Sequence, residues 1–184
     1  MPYVVRDGWL EVTEPEVTMS KPILVVYATK RESTHEVADA IAARLRELGH
    51  EVNVWRAGDI GMLRPYGAVV LGGALYAGRW HRDARRFIEK HRDELAERPV
   101  AVFAMGPLKL EPRDVGSSRE QLDRALAKEP WLDPVSVAIF GGVIDPAKMR
   151  FPFTRMDAAD ARDWDAIRSW ADELAATFAP AVAA

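Results

Sequence analysis

The chain has 184 residues, 48% of them hydrophobic and 29% charged, with a formal net charge of −3; it can bury one full core and is too short for two complete domains. The small acidic excess, with no basic block interleaved with aromatics, argues against a nucleic-acid partner. The lack of cysteine excludes disulfides, thiolate metal sites and thiol redox chemistry, and apolar runs well short of the roughly 20 residues a membrane helix needs point to a cytoplasmic protein with no transmembrane segment.

Residues 1–20 show no sustained hydrophobic period and include Pro2 and Pro15, so a flexible arm is expected there, with an ordered edge strand as the alternative. Met19, just ahead of the first clear strand, is a second candidate start. Residues 23–27 (ILVVY) form a strand-length apolar run that stops at Ala28 and enters a loop, TKREST. Val37, Ile41, Leu45 and Leu48 then fall at i, i+4, i+8 and i+11, which predicts a helix closed by Gly49. Residues 51–55 (EVNVW) alternate as a second strand, and residues 68–71 form a third that ends in Gly72-Gly73. Ala84, Phe87, Ile88, His91 and Leu95 mark a second helical stripe. Residues 100–105 (VAVFAM) are a buried fourth strand stopped by Gly106-Pro107. A helix over 119–128, a fifth strand at 135–140 and a last helix with Ile167, Ala171, Leu174 and Phe178 inward complete the order.

Short, continuous apolar strands alternating with helices call for a doubly wound parallel sheet with helices on both faces, a three-layer α/β/α arrangement. Such sheets bind ligands beyond the carboxyl ends of their strands, at the topological switch point. Three loops lie there: residues 29–34, 74–80 and 106–114. In the first, free N–H groups of a helix N-terminus and the hydroxyls of Thr29, Ser33 and Thr34 form an anion cradle suited to a phosphate monoester; plain helix capping is the bland alternative. TKREST lacks the G-x-x-x-x-G-K-[ST] spacing of a triphosphate loop, and no glycine stands between Tyr27 and Gly49 for a dinucleotide fingerprint. The third strand ends Leu71-Gly72-Gly73-Ala74, without the aspartate of a phospho-acceptor. Tyr76 and Trp80 flank Gly78 where a flat heteroaromatic ring attached to that phosphate would stack, and FMN meets both requirements. His81 and His91 read as structural, Trp164 and Trp170 as core aromatics, and the mixed charges of residues 82–98 as a solvated face. No cluster suits a metal.

Five stretches, YATKREST-x-x-VA, GGALYAGRWHRDARRFI, FAMGPL, GGVIDPAKM and RDWDAIRSWA, resemble the flavodoxin-like FMN-binding family over roughly residues 21–178. The likeness is nearest to its menaquinone-dependent protoporphyrinogen oxidase subgroup. It implies one flavodoxin-like FMN-binding domain over residues 21–180, a five-stranded parallel sheet of order 2-1-3-4-5, FMN at the switch point and a redox role. The implied cofactor-binding residues are Thr29, Lys30, Arg31, Glu32, Ser33 and Thr34, then Ala74, Leu75, Tyr76, Ala77 and Gly78, then Met105, Gly106, Pro107 and Leu108. No catalytic side chain is assigned. The implied activity is an oxidoreductase of the protoporphyrinogen IX dehydrogenase (quinone) type, serving heme biosynthesis, with a quinone or redox protein as partner. A porphyrinogen substrate would bring propionates for Lys109, Arg113, Lys148 and Arg150. An electron-carrier flavodoxin, or a flavodoxin fold with weakened or lost FMN binding, are the alternatives. The last arises from Glu32, which stands where the family's phosphate loops usually carry glycine: a positive φ there would cost about 1 kcal/mol, and a carboxylate not pointing outward would repel the phosphate.

Overall fold

The computed structural model describes residues 4–6, 9–11, 21–29, 32–76, 79–145 and 158–179. Lys30, Arg31, Ala77, Gly78, Lys148, Arg150 and Met19, singled out from the sequence, lie outside these. In the N-terminal segment, β1 (Val4–Arg6) and β2 (Trp9–Glu11) pair antiparallel with each other and not with the main sheet.

The apolar runs form the central sheet: the three inner strands are buried on both faces, and the two edge strands only in part. β3 (Ile23–Ala28), β4 (Val52–Arg56), β5 (Ala68–Tyr76), a two-residue β6 (Arg79–Trp80), β7 (Val100–Met105) and β8 (Ser136–Phe140) follow in turn. Five of these run parallel in the order β4-β3-β5-β7-β8, which is 2-1-3-4-5 when the parallel strands alone are numbered. β6 folds back antiparallel on the end of β5, with Tyr76 opposite Arg79. Beyond β8, β9 (Val143–Ile144) pairs antiparallel with β10 (Ala159–Asp160).

Alternate side chains of the strands face two separate cores. On one face α1 (Ser33–Glu47) and α5 (Trp164–Phe178) pack Val37, Ile41, Leu45, Ile167, Ala171 and Leu174 against Ile23, Val25, Val70 and Phe103. On the other, α2 (Arg82–Lys90), α3 (Arg92–Ala96) and α4 (Pro112–Leu126) bring Phe87, Ile88, Leu95 and Leu122 onto Leu24, Val69, Leu71 and Val102. The three-layer flavodoxin-like arrangement is therefore as expected. Arg44 of α1 reaches Asp172 of α5 at 2.6 Å, and these hydrogen bonds hold the Asp172 carboxyl below its ordinary range. Gly49 ends α1 with φ 90°, a left-handed position that glycine adopts without a Cβ penalty. No helix among the described residues is long and apolar enough to cross a membrane.

Several elements differ from the sequence reading. The third strand does not stop at Gly72-Gly73 but continues to Tyr76. A Cβ on Gly72 would enter the Phe103 ring, and one on Gly73 would enter the Trp80 indole, so these glycines admit large rings from opposite faces rather than break the strand. The helical stripe from Ala84 to Leu95 is two helices parted at His91, whose Nδ1 meets Glu94 at 2.9 Å. The helix expected over 119–128 begins at Pro112, a residue suited to a first helical position because it lacks the N–H that would go unpaired there. Trp170 is core, donating to Ser136 Oγ at 2.8 Å. Trp164 is exposed at 43%, with the Arg162 guanidinium 4.7 Å from its ring centroid, so it is not a core aromatic.

The charges of 82–98 are also more than a solvated face. Glu94 accepts from Leu63 N at 2.8 Å, Lys90 donates to Ile60 O at 3.0 Å, and Arg98 donates to the carbonyls of Leu63 and Tyr66. Together they latch the irregular segment between β4 and β5, whose backbone would otherwise lack partners.

Candidate functional site

At the carboxyl ends of β3, β5, β7 and β8 the backbone leaves a cleft of about 180 Å³. Ser33 lines it from the start of α1; Ala74, Leu75 and Tyr76 from the end of β5; Met105, Gly106 and Leu108 from the exit of β7; and Gly142, Val143 and Ile144 from beyond β8. The strand order makes this convergence: the chain leaves β3 for β4 on one side and returns to β5 on the other, parting the loops at the switch point.

Thr29 and Thr34 are 6% and 0% exposed. Thr29 O accepts from the Arg56 guanidinium at 3.2 Å, and Thr29 lines a neighbouring cleft with Arg56 and Tyr76 rather than the one above. Thr34 Oγ1 is fully buried with no hydrogen-bond partner among the described residues. The N-cap of α1 is Glu32, whose own side chain makes no capping hydrogen bond. Glu32 has φ −74° and ψ −19°, ordinary right-handed helical values, so no backbone strain attends a non-glycine residue there, and its side chain is exposed. Its carbonyl accepts from Glu36 N at 2.9 Å.

The opposite wall rests on tight backbone packing. Gly106 N donates to Phe140 O at 3.0 Å and Gly142 N to Pro107 O at 2.7 Å, which ties the exits of β7 and β8 together. A Cβ on Gly106 would stand 2.9 Å from both Leu75 Cδ1 and Ser118 Oγ, and one on Gly141 would overlap the Ala161 carbonyl. Pro107 is buried and Leu108 is exposed at 41%. The rim is pinned by Arg162, which bonds Asp160 at 2.6 Å and also Glu36 in the first turn of α1. Hydrogen bonds from Arg162 hold the Asp160 carboxyl below its ordinary range, against the opposing effect of burial.

Ser33 and six of the ring-loop residues singled out from the sequence are thus brought into one cleft, with Thr34 buried beside it. Gly142, Val143 and Ile144 were missed as lining residues; their signal was the Gly141-Gly142 pair that ends the fifth apolar run, like the glycines after the third. Trp80 is 2% exposed over Gly73 and offers no stacking face, whereas Tyr76 lines the cleft. His81 caps α2, its Nδ1 accepting from Asp83 N at 3.1 Å, a structural role as expected. Lys109 and Arg113 are exposed beyond Leu108. Among the described residues no group of three or more His, Cys, Asp or Glu is placed to hold a metal ion.

A family model described as "Flavodoxin domain" matches residues 24–156. Protoporphyrinogen IX dehydrogenase [quinone] of Escherichia coli strain K12 is 23% identical over 130 residues, spanning 70% of this chain and 72% of that protein. Among solved structures, oxidised flavodoxin 1 from Bacillus cereus superposes with a TM-score of 0.55 at 18% identity, covering 88% of this chain and 99% of that one. A cysteine mutant of flavodoxin from Pseudomonas aeruginosa gives 0.57 at 17% identity, covering 86% and 99%. At these identities the structural likeness establishes the fold alone.

Proposed function

Because the chain belongs to the flavodoxin domain family, we propose that it holds FMN and acts as an oxidoreductase of the protoporphyrinogen IX dehydrogenase (quinone) type. The observation that carries the cofactor assignment is Thr34 Oγ1, a buried hydroxyl without a partner among the described residues, one residue from Ser33 at the cleft and in the first turn of a helix. An orphaned buried hydroxyl costs stability, and a phosphate oxygen at that helix N-terminus supplies the missing partner and meets the favourable end of the helix dipole. Thr29 and Ser33 add polar groups to the same loop. The backbone conformation and exposure of Glu32 support retention of the phosphate site over its loss.

In this reading Ala74, Leu75 and Tyr76 flank the ring on one side and Met105, Gly106, Pro107 and Leu108 on the other, with Ala77 and Gly78 completing the first of these loops. Bound FMN supplies hydride or single-electron chemistry. The chain's own part is to hold the ring between apolar walls and to present backbone dipoles that favour one redox state. Lys109 and Arg113 stand where propionates of a porphyrinogen would arrive. The likeness to the Escherichia coli enzyme supports this activity over an electron carrier, as does a net charge of only −3, which gives little of the acidic docking face expected of a carrier.

The test is in two parts. The protein reconstituted with FMN should show flavin absorption bands and quenched flavin fluorescence, then turn over protoporphyrinogen IX with menaquinone. A colourless protein that gives no FMN titration signal would refute the cofactor reading. Flavin binding without turnover, but with reduction by a flavodoxin reductase, would assign it as a carrier.

A further inference from the structure

A larger cavity, about 630 Å³, opens on the opposite side of β5 from α1 and α5, bounded by β6, α2 and α4. Arg79, Arg85, Arg124 and Lys128 line it together with Gln121 and the Trp80 indole, and among the described residues no carboxylate does. On α4, Gln121 and Arg124 lie at i and i+3 on one face, and Lys128 follows in the turn just past the end of the helix.

Four cations around one concavity, in a chain whose net charge is −3, repel one another. None of the four enters an ion pair among the described residues. One donor there also lacks an acceptor: Arg85 Nε is buried without a hydrogen-bond partner among the described residues, while Trp80 Nε1 is turned toward Gly73 and away from the hollow. A buried donor left unpaired and uncompensated like charge are both costs that an anion would remove.

From this geometry we propose that the cavity is a binding site for a small polyanion, a compound with two or more carboxylate or phosphate groups. Three of the four cations are arginines, whose planar fork pairs with the oxygens of either group in a bidentate manner. The charges converge on a hollow instead of spreading along a surface, which favours a small molecule over an acidic protein or a membrane. The site shares no lining residue with the cleft at the strand ends, and it meets the neighbouring cleft of Thr29 and Tyr76 through Arg79, Trp80 and Arg85; Gln121, Arg124, Ala125 and Lys128 belong to it and to neither of those clefts.

The test is calorimetric titration at low ionic strength with inorganic pyrophosphate and, separately, citrate. Saturable one-to-one binding of either is expected; preference for pyrophosphate identifies phosphate as the recognised group and preference for citrate identifies carboxylate. Arg124 and Lys128 are exposed, so R124Q/K128Q should fold normally, weaken the anion at least about tenfold and leave the FMN titration unchanged. R79Q, also at an exposed position, should weaken it in the same direction. No saturable binding, equal binding by parent and both variants, or binding only to phosphatidylglycerol vesicles would overturn the proposal.

Discussion

Replacing Thr34 with Val separates what the hydroxyl costs from what it recognises. The two side chains have nearly the same shape, so the substitution removes Oγ1 while keeping the packing of the first turn of α1. Thr34 is fully buried and its Oγ1 has no partner among the described residues; removing an unsatisfied buried polar group should stabilise the flavin-free protein by about 1–3 kcal/mol. For a chain of this size each 1 kcal/mol corresponds to about 2–4 °C in Tm. Affinity for FMN should move the opposite way. Loss of a hydrogen bond to a charged oxygen, about 1.5–3 kcal/mol, weakens Kd by about 10- to 150-fold. Thermal unfolding of the apoprotein and flavin-fluorescence titration read the two effects independently. A lower Tm for T34V would mean that the hydroxyl has a partner within the protein. An unchanged Kd would mean that the phosphate does not reach it.

Three other outcomes follow from the geometry. E32G and E32Q should tighten FMN equally, by no more than about tenfold at low salt and vanishingly at 1 M salt, since Glu32 already has helical φ and only its charge is removed; a larger effect of glycine in the titration would show that backbone freedom matters. Gly72→Ala drives a methyl group into the Phe103 ring, which is 0% exposed, and should cost about 3 kcal/mol or more in urea unfolding. Gly116→Ala, in open space within α4, should instead gain about 0.5–1 kcal/mol, and equal effects at the two positions would contradict the packing described. The hydrogen bond from His91, aided by Leu63 N–H and the Arg98 charge, holds the Glu94 carboxyl below its ordinary range despite burial. Its folded pKa lies below its unfolded one, so the stability it contributes is complete above the ordinary glutamate range and is lost as pH falls through the folded value. E94Q should therefore unfold at lower urea than the parent at pH 7, with the gap closing in acid; a gap constant down to pH 3 would refute the latch.

The inner parallel strands were legible because burial on both faces leaves an uninterrupted apolar run, the edge strand β4 because its residues alternate, and the helices because a single buried stripe leaves a period. What escaped was set by residues distant in sequence. Gly72-Gly73 reads locally as a breaker, yet its meaning comes from the rings of Phe103 and Trp80. The start of α4 is exposed and polar, so it carries no hydrophobic period until Ser118 and Leu122 turn inward. Trp164 looked like core by its residue type, whereas its position at the first turn of α5 puts it beside Arg162 in solvent. At the cleft, the loops after the first, third and fourth apolar strands were visible from chain order alone. The contribution of Gly142 to Ile144 was not, because it depends on the register that sets Met105 beside Phe140 and so brings Gly142 against Pro107.

The bond from Arg162 to Glu36 joins residues 126 positions apart. During synthesis, Ser33 and Tyr76 leave the ribosome early, but the rim they share with β9 and β10 cannot close until Arg162 has followed and Ala161 N has found Gly142 O. Contacts of such long sequence separation form late. A nascent chain therefore presents an open half-site through most of its synthesis, and in the FMN-binding reading proposed above the cofactor would load onto the finished protein at a level set by the free flavin concentration around it.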